Sequence, residues 1–360
     1  MKVLYVSPEH VSGGFGLFAQ GHRDLGTECR YITFFQSEYG FEEDLCFDLR
    51  LMPNQKLVAG FRRLLNKLHS EEDIVDLPGN PPFWKPLSPI VRQFYNLRDS
   101  LNRPLIERSI KKWKLEDFDI YHFEQGIDPY RDGRWIKRLA TKGKGVVCFY
   151  HGSDLRNRGV LKEVHERSIL NLTSEIDILY RMEGMKYLYL PIDTEKVIPK
   201  PRPKDNRIRI SHAARNRKFK GSDHIELVVR RLMRKYPIDW VMIENVDHEK
   251  ALSMKSGSDI FIDQITDAGG WGYGASSVES LAMGIATITR INRGVSDFLG
   301  DHPFISATPD SLESQLIGLI EDSSLRDHHA KTGREWVIQR HGLPNVMKTL
   351  YGYYREVGLA

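Results

Sequence analysis

Short apolar runs alternate with helical patterns along most of this chain. "KVLYVS" (Lys2–Ser7) is a continuous apolar run typical of a buried parallel strand, and a glycine loop and a helical pattern follow it. Three further runs of the same kind are Cys29–Phe35, Phe118–Glu124 and Gly145–Gly152. This order of elements predicts a doubly wound α/β domain. Because such sheets bind ligands outside the carboxyl ends of their strands, polar residues at those ends are the candidates for function.

The alternation stops between Leu190 and Asn206 and then begins again. This stretch holds four prolines and mixed charges, which is typical of a linker, and we expect it to act as a hinge. Beyond it, strand-like and helical runs alternate over Arg207–Ala213, Gly221–Tyr236, Ile238–Glu244, Ser258–Gln264, Ser277–Gly284 and Ala286–Arg290. We therefore predict two α/β domains, over residues 1–195 and 205–342, and then a helical tail that breaks near Gly342–Pro344.

The composition is that of a globular protein and argues against several other classes. The chain has 360 residues, of which 41% are hydrophobic and 28% charged, and its net charge of +4 is too small to indicate nucleic acid as a partner. Three dispersed cysteines argue against a disulfide framework. The first residues turn polar too early for a signal peptide, and no apolar run approaches the ~18 residues of a membrane span. We expect a cytoplasmic protein.

A basic amphipathic pattern fills the region between Leu51 and Trp113. In its first segment, Asn54–Ser70, lysines and arginines lie opposite the apolar side chains, and Ser88–Lys114 repeats this pattern. The apolar positions at helical spacing in that first segment are Leu57, Phe61, Leu64, Leu65 and Leu68. Two interpretations are open. The helices pack their apolar faces on the first domain, or they hold the protein peripherally on an anionic membrane surface.

The stretch "DAGGWGYGASSVESLAMG" (Asp267–Gly284) places a glycine-rich loop directly before a helix. Amide groups at a helix N-terminus favour a phosphate, and glycines allow the backbone to approach it closely. Glu279 could then accept hydrogen bonds from ribose hydroxyls. The alternative is a capped helix with a flexible loop before it. The candidate donor-binding residues here are Asp267, Gly269, Gly270, Trp271, Gly272, Tyr273, Gly274, Ser276 and Glu279.

A basic cluster follows the first strand of the second domain, in "SHAARNRKFKGSDHIE" (Ser211–Glu226). Arg215, Arg217 and Lys220 lie within six residues at the carboxyl end of that strand, where cations could neutralise a diphosphate. The alternative is a solvated basic loop. Glu244, which ends the next predicted strand, joins the donor-binding candidates.

Two stretches of the first domain also end predicted strands. In "YHGSDLR" (Tyr150–Arg156), His151 could project into an interdomain cleft, although a lone histidine is more often structural. In "SGGFG", the spacing of Gly13, Gly14 and Gly16 differs from the G-x-G-x-x-G dinucleotide fingerprint. It fits a loop that approaches a ligand closely.

These four stretches, in this order, resemble the retaining GT-B glycosyltransferases of the family-4-like group. "RNRKFKG" and "GYGASSVESLAMG" carry the resemblance, which is strongest over Ile208–Ile291. It implies a GT-B fold, in which two Rossmann-like doubly wound domains face a cleft and the C-terminal helix, 343–360, crosses back to the first domain. It also implies a retaining hexosyltransferase that moves a sugar from a UDP- or GDP-linked donor to the hydroxyl of a sugar or lipid-linked glycan, in glycan, polysaccharide or glycolipid synthesis.

The resemblance also implies roles for individual residues. Glu279 matches the residue that binds the donor ribose, and Lys220 with Arg215 or Arg217 matches the diphosphate-binding pair. His151 matches a histidine that contacts the donor sugar. The loop of Gly13 and Gly14 matches the one that approaches the donor phosphate and the acceptor. No cofactor and no metal ion are expected, because cationic side chains and a helix N-terminus would stabilise the leaving diphosphate.

One departure from the family pattern keeps other functions open. Trp271 stands eight residues before Glu279, where the family has an acidic residue that contacts the sugar, and Ala286 replaces a proline. Asp267 or the amides of Gly269–Gly272 could take over the sugar contact. Alternatively, the chain is a degenerate partner subunit that binds without turnover. A nucleotide-sugar 2-epimerase is a further alternative.

Overall fold

The described part of the chain forms two compact units, each built on one parallel sheet. The computed structural model describes residues 1–10, 13–37, 41–52, 55, 58, 81–85, 88–152, 154–201 and 205–360. The first unit comprises Met1–Leu188 with Met347–Ala360, and the second comprises Tyr189–Val346. The predicted linker, Leu190–Asn206, therefore lies within the second unit, apart from three of its residues that are not described.

Seven parallel strands form the sheet of the first unit. They are β1 (Lys2–Ser7), β2 (Glu28–Thr33), β3 (Leu45–Cys46), β4 (Ile120–Glu124), β5 (Gly145–Tyr150), β6 (Leu170–Thr173) and β7 (Lys186–Tyr187). Their order is β3-β2-β1-β4-β5-β6-β7, with Tyr5 of β1 opposite both Tyr31 and His122. Because the chain changes direction across the sheet between β1 and β4, the carboxyl ends of these strands are where a ligand is expected.

The described residues before Leu188 also form five helices and one π-helical turn. They are α1 (Gly14–Asp24), α2 (Pro89–Lys112), α3 (Arg134–Thr141), the π-helical turn Asp154–Arg158, α4 (Lys162–His165) and α5 (Ile176–Leu179). The Ser88 hydroxyl caps α2 by accepting a hydrogen bond from the Val91 amide, and Ile106 and Ile110 pack into the core. The second predicted amphipathic segment therefore packs on its own domain. The first, with its apolar positions at 57–68, lies outside the described residues.

The second unit is built on a five-stranded parallel sheet. Its strands are β8 (Ile208–Ala213), β9 (Ile238–Ile243), β10 (Ile260–Ile262), β11 (Ala286–Thr289) and β12 (Ile305–Ser306), in the order β12-β11-β10-β8-β9. Its helices are α6 (Arg217–Lys220), α7 (Ser222–Leu232), α8 (His248–Lys255), α9 (Ala275–Ala282), α10 (Arg293–Leu299), α11 (Leu312–Glu321) and α12 (Ser323–His341). Here the direction changes between β8 and β10, so the loops that follow these two strands lie side by side.

The last helix returns to the first unit, as predicted. Helix α12 ends at His341, and α13 (Leu343–Glu356) begins after the predicted break at Gly342. From Met347 onward the residues belong to the first unit. The Tyr351 hydroxyl donates to Thr27 Oγ1 at 2.8 Å and lies 2.9 Å from His22 Nδ1. Within the described part of the chain, no helix combines the length and the apolar character needed to cross a membrane.

Gly221 should tolerate no side chain. Its φ is +73°, and an added Cβ would lie 2.6 Å from Ile265 Cγ1, so Gly221→Ala is expected to lower the free energy of unfolding by about 1–3 kcal/mol. The matched control is Gly318→Ala within α11, where a Cβ meets nothing within 4 Å and stability is expected to stay level or rise by up to ~1 kcal/mol. Thermal melting of both variants checks this, and equal melting temperatures would contradict the assigned backbone conformation.

Candidate functional site

The two candidate stretches of the second unit meet at the carboxyl ends of β8 and β10. The Thr266 hydroxyl donates to the carbonyl of Phe219 at 3.0 Å, and the Ile265 amide donates to the carbonyl of Lys220 at 3.2 Å. Gly269 lies against the Phe219 side chain. The basic cluster and the glycine-rich stretch therefore form one site, although about fifty residues separate them in the sequence.

The glycine-rich loop is held in place by hydrogen bonds. Gln264 Nε2 donates to the carbonyl of Gly270 at 3.0 Å, and the Thr289 hydroxyl donates to the carbonyl of Gly272 at 3.0 Å. The φ angles of Gly270 and Gly272 are 126° and 82°, which favour glycine. Gly274 is the N-cap of α9 and supplies no capping side chain, so the helix begins with amide groups that an anion can approach.

Lys220 is positioned by its own local sequence and by a buried carboxylate. The Asn216 side chain caps α6 by accepting from the amides of Lys218 and Phe219, and Gly221 ends the turn in the left-handed conformation. The ammonium group of Lys220 then pairs with Asp263, which is fully buried at the end of β10.

Asp263 joins this pair to the first turn of α9. The Ser277 hydroxyl donates to Asp263 Oδ2 at 2.6 Å. Burial alone would raise the pKa of Asp263, but the charge and hydrogen bond of Lys220 outweigh it and hold the pKa below its ordinary value. A cation therefore sits at a fixed place beside the uncapped helix.

Glu279 lies in a second buried charge cluster. Its Oε2 accepts from Lys255 Nζ at 2.7 Å, and its Oε1 lies 2.8 Å from His248 Nε2. The Lys255 side chain is 1% exposed and also donates to the Ser276 hydroxyl at 2.8 Å. Burial opposes ionisation of Glu279, but the charge of Lys255 and these hydrogen bonds lower its pKa overall. The carboxylate is ionised and oriented, and the two contacts occupy about half of its ~4 acceptor positions.

Arg217 and Glu244 are partners of each other. Arg217 contacts three carboxylates, at 2.7 Å from Asp223, 2.8 Å from Glu226 and 3.1 Å from Glu244. Its charge is thereby neutralised by its neighbours, whereas Arg215 is exposed beside the same turn. Both arginines that the resemblance leaves open therefore stay candidates for the diphosphate.

The remaining candidates of the loop have different surroundings. Asp267 lies 3.4 Å from both Arg290 Nε and Asn292 Nδ2. The Tyr273 hydroxyl lies 3.1 Å from His341 Nε2, and its ring packs on Phe304 at 4.6 Å, which indicates a structural role. The Trp271 side chain is 41% exposed on the loop and packs one edge against Gly294.

In the first unit, His151 and the glycine loop both follow central strands. His151 Nε2 lies 2.8 Å from Glu124 Oε2, and the His151 amide donates to Asp154 Oδ2 at 2.7 Å. Gly13 has φ +70° as the N-cap of α1, which Gly14 begins. The glycine loop lies at the switch point of the sheet, and His151 follows β5, the neighbour of β4, at the same carboxyl edge, where the topology favours a ligand.

The pairing of His151 with Glu124 leads us to predict a raised pKa for His151 that titration can measure. Burial lowers the pKa of His151, but the hydrogen bond and charge of Glu124 outweigh it and raise the pKa to about 9. The pair's contribution to stability is therefore fully present below about pH 6.5, the ordinary histidine pKa, and is lost as the pH rises through about 9. The imidazole Cε1 proton in NMR should titrate near pH 9 in the parent chain and below pH ~6.5 in Glu124→Gln. Equal midpoints would contradict the pairing.

Three residues of this site were missed by the sequence analysis. Asp263 ends a strand-like apolar run, and that position could have identified it. His248 and Lys255 lie on α8, which is not among the predicted elements, and a lysine at the end of such a helix is expected to be solvated. Among the described residues, no group of three or more histidine, cysteine, aspartate or glutamate side chains is arranged to hold a metal ion.

Comparison with known proteins identifies the fold. No protein-family model matches the chain, and no curated protein matches it in sequence. Solved structures match over nearly its whole length. HepE of Anabaena, in complex with UDP, is 13% identical with a TM-score of 0.56, over 99% of this chain and 100% of that chain. The chain has the GT-B fold.

Two further structures support the GT-B assignment. The trehalose-6-phosphate synthase OtsA is 10% identical with a TM-score of 0.61, over 99% of each chain. An α-glucosyltransferase in complex with UDP and a 13-mer DNA is 12% identical with a TM-score of 0.58, over 98% of each chain. At these identities the likeness establishes the GT-B fold, and the evidence for the reaction lies in the residues of the site.

Proposed function

We propose that this protein is a glycosyltransferase that takes its sugar from a nucleotide diphosphate sugar bound in the second unit. The observation that carries the proposal is the convergence, at the ends of β8 and β10, of an anchored cation, a glycine-rich loop with an uncapped helix, and an oriented carboxylate. Each suits one part of such a donor. The complexes of HepE with UDP and with UDP-glucose support the same class of ligand.

The diphosphate would lie against the N-terminus of α9 beside Lys220. Negative charge develops on the diphosphate as the bond to the sugar breaks. Preorganised amides and a fixed ammonium group stabilise that charge without reorganisation, which lowers the barrier to transfer. Arg215 would add a further cation from the exposed edge of the site.

Glu279 would accept hydrogen bonds from the ribose hydroxyls. Lys255 and His248 keep its carboxylate ionised and fixed, so that no energy is needed to orient it when the nucleotide binds. Ser276 would present its amide to the phosphates from the same turn of the helix.

We propose transfer with retention of configuration to the hydroxyl of a sugar or lipid-linked glycan. The resemblance to the retaining group supports this, and it implies that His151, which pairs with Glu124 at the carboxyl edge of the first sheet, contacts the donor sugar. The basic helix α2 suits an acceptor presented at an anionic membrane surface. Co-sedimentation with anionic vesicles at low salt tests this, and an absence of binding would refute it.

Trp271 favours one second candidate, a GT-B subunit that binds a nucleotide without turnover. An exposed indole stands where the resembling family has an acidic contact to the sugar. The amides of Gly269–Gly272 or the Asp267 carboxylate would have to replace that contact in an active enzyme.

Calorimetry combined with a turnover assay separates these candidates. UDP, GDP, ADP and their sugar derivatives are titrated into the purified chain, and the derivative that binds is then assayed for transfer and for hydrolysis. Saturable binding of one diphosphate with sugar transfer supports the proposal, and binding without turnover supports the partner subunit. Conversion of the donor sugar without any acceptor would indicate an epimerase. No binding at all would refute the donor site.

A further inference from the structure

A cavity of about 400 Å³ lies in the first unit and shares no residue with the proposed donor site. Helix α2 forms one wall, and the loop after β4 forms another. That loop follows the carboxyl end of a strand at the switch point of the sheet, where parallel α/β sheets bind ligands. The side chains that matter for its chemistry are Trp84, Tyr95, Asp99, Arg131, Asp132 and Arg134.

Arg131 packs beside two aromatic rings on the cavity wall, which meet each other edge to face. Its guanidinium carbon lies 4.8 Å from the centre of the Trp84 ring and 4.3 Å from that of Tyr95. Its Nε and Nη1 atoms are buried and have no hydrogen-bond partner among the described residues. A guanidinium group in this state has lost its water without gaining an acceptor, which is costly.

The nearby carboxylates form ion pairs and hydrogen bonds with other groups. Asp99 binds the Arg98 side chain through Oδ1 and accepts the Arg131 backbone amide at 2.7 Å through Oδ2. Asp132 forms a two-pronged ion pair with Arg134, whose Nη2 lies 2.7 Å from it. Within the described structure, neither carboxylate forms an ion pair with the Arg131 side chain.

A second buried guanidinium group increases the positive charge around Arg131. Arg158 donates to the carbonyl of Gln125, and its Nε and Nη1 are also buried without a partner among the described residues. Burial, reinforced by the charges of Arg98 and Arg158, lowers the pKa of Arg131 to about 10, so it remains charged at neutral pH. Both guanidinium groups therefore keep buried donors that no described residue accepts from.

We propose that this cavity binds an anionic sugar whose phosphate or carboxylate group accepts hydrogen bonds from the Arg131 guanidinium. Arginine binds both anions through paired, charge-assisted hydrogen bonds. A cavity of this size accommodates a monosaccharide beside the anion. Under the proposed function, on which this role rests, the anionic sugar is the acceptor.

Calorimetric titration of the full chain tests the binding directly. The probes are a hexose phosphate, the corresponding hexuronate and the neutral hexose. We expect saturable binding of a charged probe that is at least about 10-fold tighter than that of the neutral hexose. Preference for the phosphate or for the uronate identifies which anion the site takes. If neither charged probe binds better than the neutral sugar, the inference is wrong.

Two arginine variants locate the binding. Arg131→Gln is expected to weaken binding of the charged probe at least about 10-fold, because it removes the unpaired donors. Arg134→Gln, on the same cavity wall, is expected to change it less than about 3-fold, since that guanidinium is already paired with Asp132. Equal effects of the two variants, or none, would overturn the assignment.

Thermal stability gives an independent measurement on the same variants. Without ligand, Arg131→Gln should melt at or above the parent temperature, because it removes a buried charge with donors that no described residue accepts from. A clearly lower melting temperature would show that the packing of Arg131 on Trp84 and Tyr95 stabilises the fold and would count against a binding role. UDP binding is measured in parallel. If UDP binds and no anionic sugar does, only this inference fails; if the sugar binds and no nucleotide does, the proposed function fails and the cavity assignment stands.

Discussion

Lys220→Ala is expected to lower the free energy of unfolding by about 3 kcal/mol, at the lower end of the range for breaking a buried ion pair. The reason lies in the partner of Lys220. The Asp263 carboxylate is fully buried, and without the ammonium group the Ser277 hydroxyl is the one described side chain that still donates to it. Lys220 is itself 23% exposed, so water can enter the vacated space and limits the loss. Urea denaturation measures the change.

The pH dependence and a double variant test this explanation. The depressed pKa of Asp263 means that its pairing stabilises the protein above its ordinary pKa of 3.8, and the contribution is lost as the pH falls through the lower folded value. The parent and Lys220→Ala should therefore converge in stability in acid. Adding Asp263→Asn to Lys220→Ala should restore much of the stability at neutral pH, because no buried charge remains. A double variant no more stable than the single one would contradict the pairing as the cause.

Lys220→Ala is also expected to slow sugar transfer about 10- to 100-fold, because it removes one fixed charge from the diphosphate site. The rate has to be compared at a temperature where the variant is fully folded. Lys220→Arg is the conservative control, as it keeps the charge beside Asp263. Unchanged transfer in a folded Lys220→Ala protein would exclude Lys220 from the site.

Glu279→Ala is expected to weaken nucleotide binding at least about 10-fold, the loss expected for a hydrogen bond to a charged acceptor. It should also destabilise the fold by about 3 kcal/mol, because it leaves the ammonium group of Lys255, 1% exposed, without its carboxylate. Calorimetry with the diphosphate that binds the parent measures the first effect, and urea denaturation measures the second.

A matched control separates these two effects of Glu279. Glu249→Ala removes an exposed carboxylate from the first turn of α8, next to His248, and should leave affinity and stability within experimental error. Glu279→Ala combined with Lys255→Met removes both buried charges, so stability should recover while affinity stays low. If affinity recovers with stability, Glu279 acts on the fold alone and does not contact the nucleotide.

The sequence predicts the architecture and the position of the site better than its internal contacts. Apolar runs such as Lys2–Ser7 need only local periodicity to be recognised, and the adjacency of the two stretches after β8 and β10 follows from the rules of parallel sheets. The partners of individual charged side chains do not follow from such rules. Arg217 is one of four cations in its loop, and only the packed structure shows that it contacts three carboxylates while Lys220 contacts Asp263.

Lys255 shows most clearly what the sequence does not predict. A lysine at the end of a short polar helix is expected to be solvated, yet it lies buried with its ammonium group 4.6 Å from the centre of the Phe261 ring and bound to Glu279. No spacing rule relates residues on two different elements, so this cluster is apparent only in the three-dimensional structure. The glycine-rich stretch itself could be predicted, because its need for positive φ is a local property.

The return of α13 fixes the order in which the protein can be completed during synthesis. Tyr354, which is fully buried, contacts His122 at the centre of the first sheet, but the ribosome adds it only after the whole of Tyr189–Val346. The second unit is continuous in sequence and can fold as soon as it emerges. The first unit begins earlier and finishes later, and until then His122 lacks its partner from α13. In a nascent chain of this protein the first domain therefore stays incomplete until translation is nearly over.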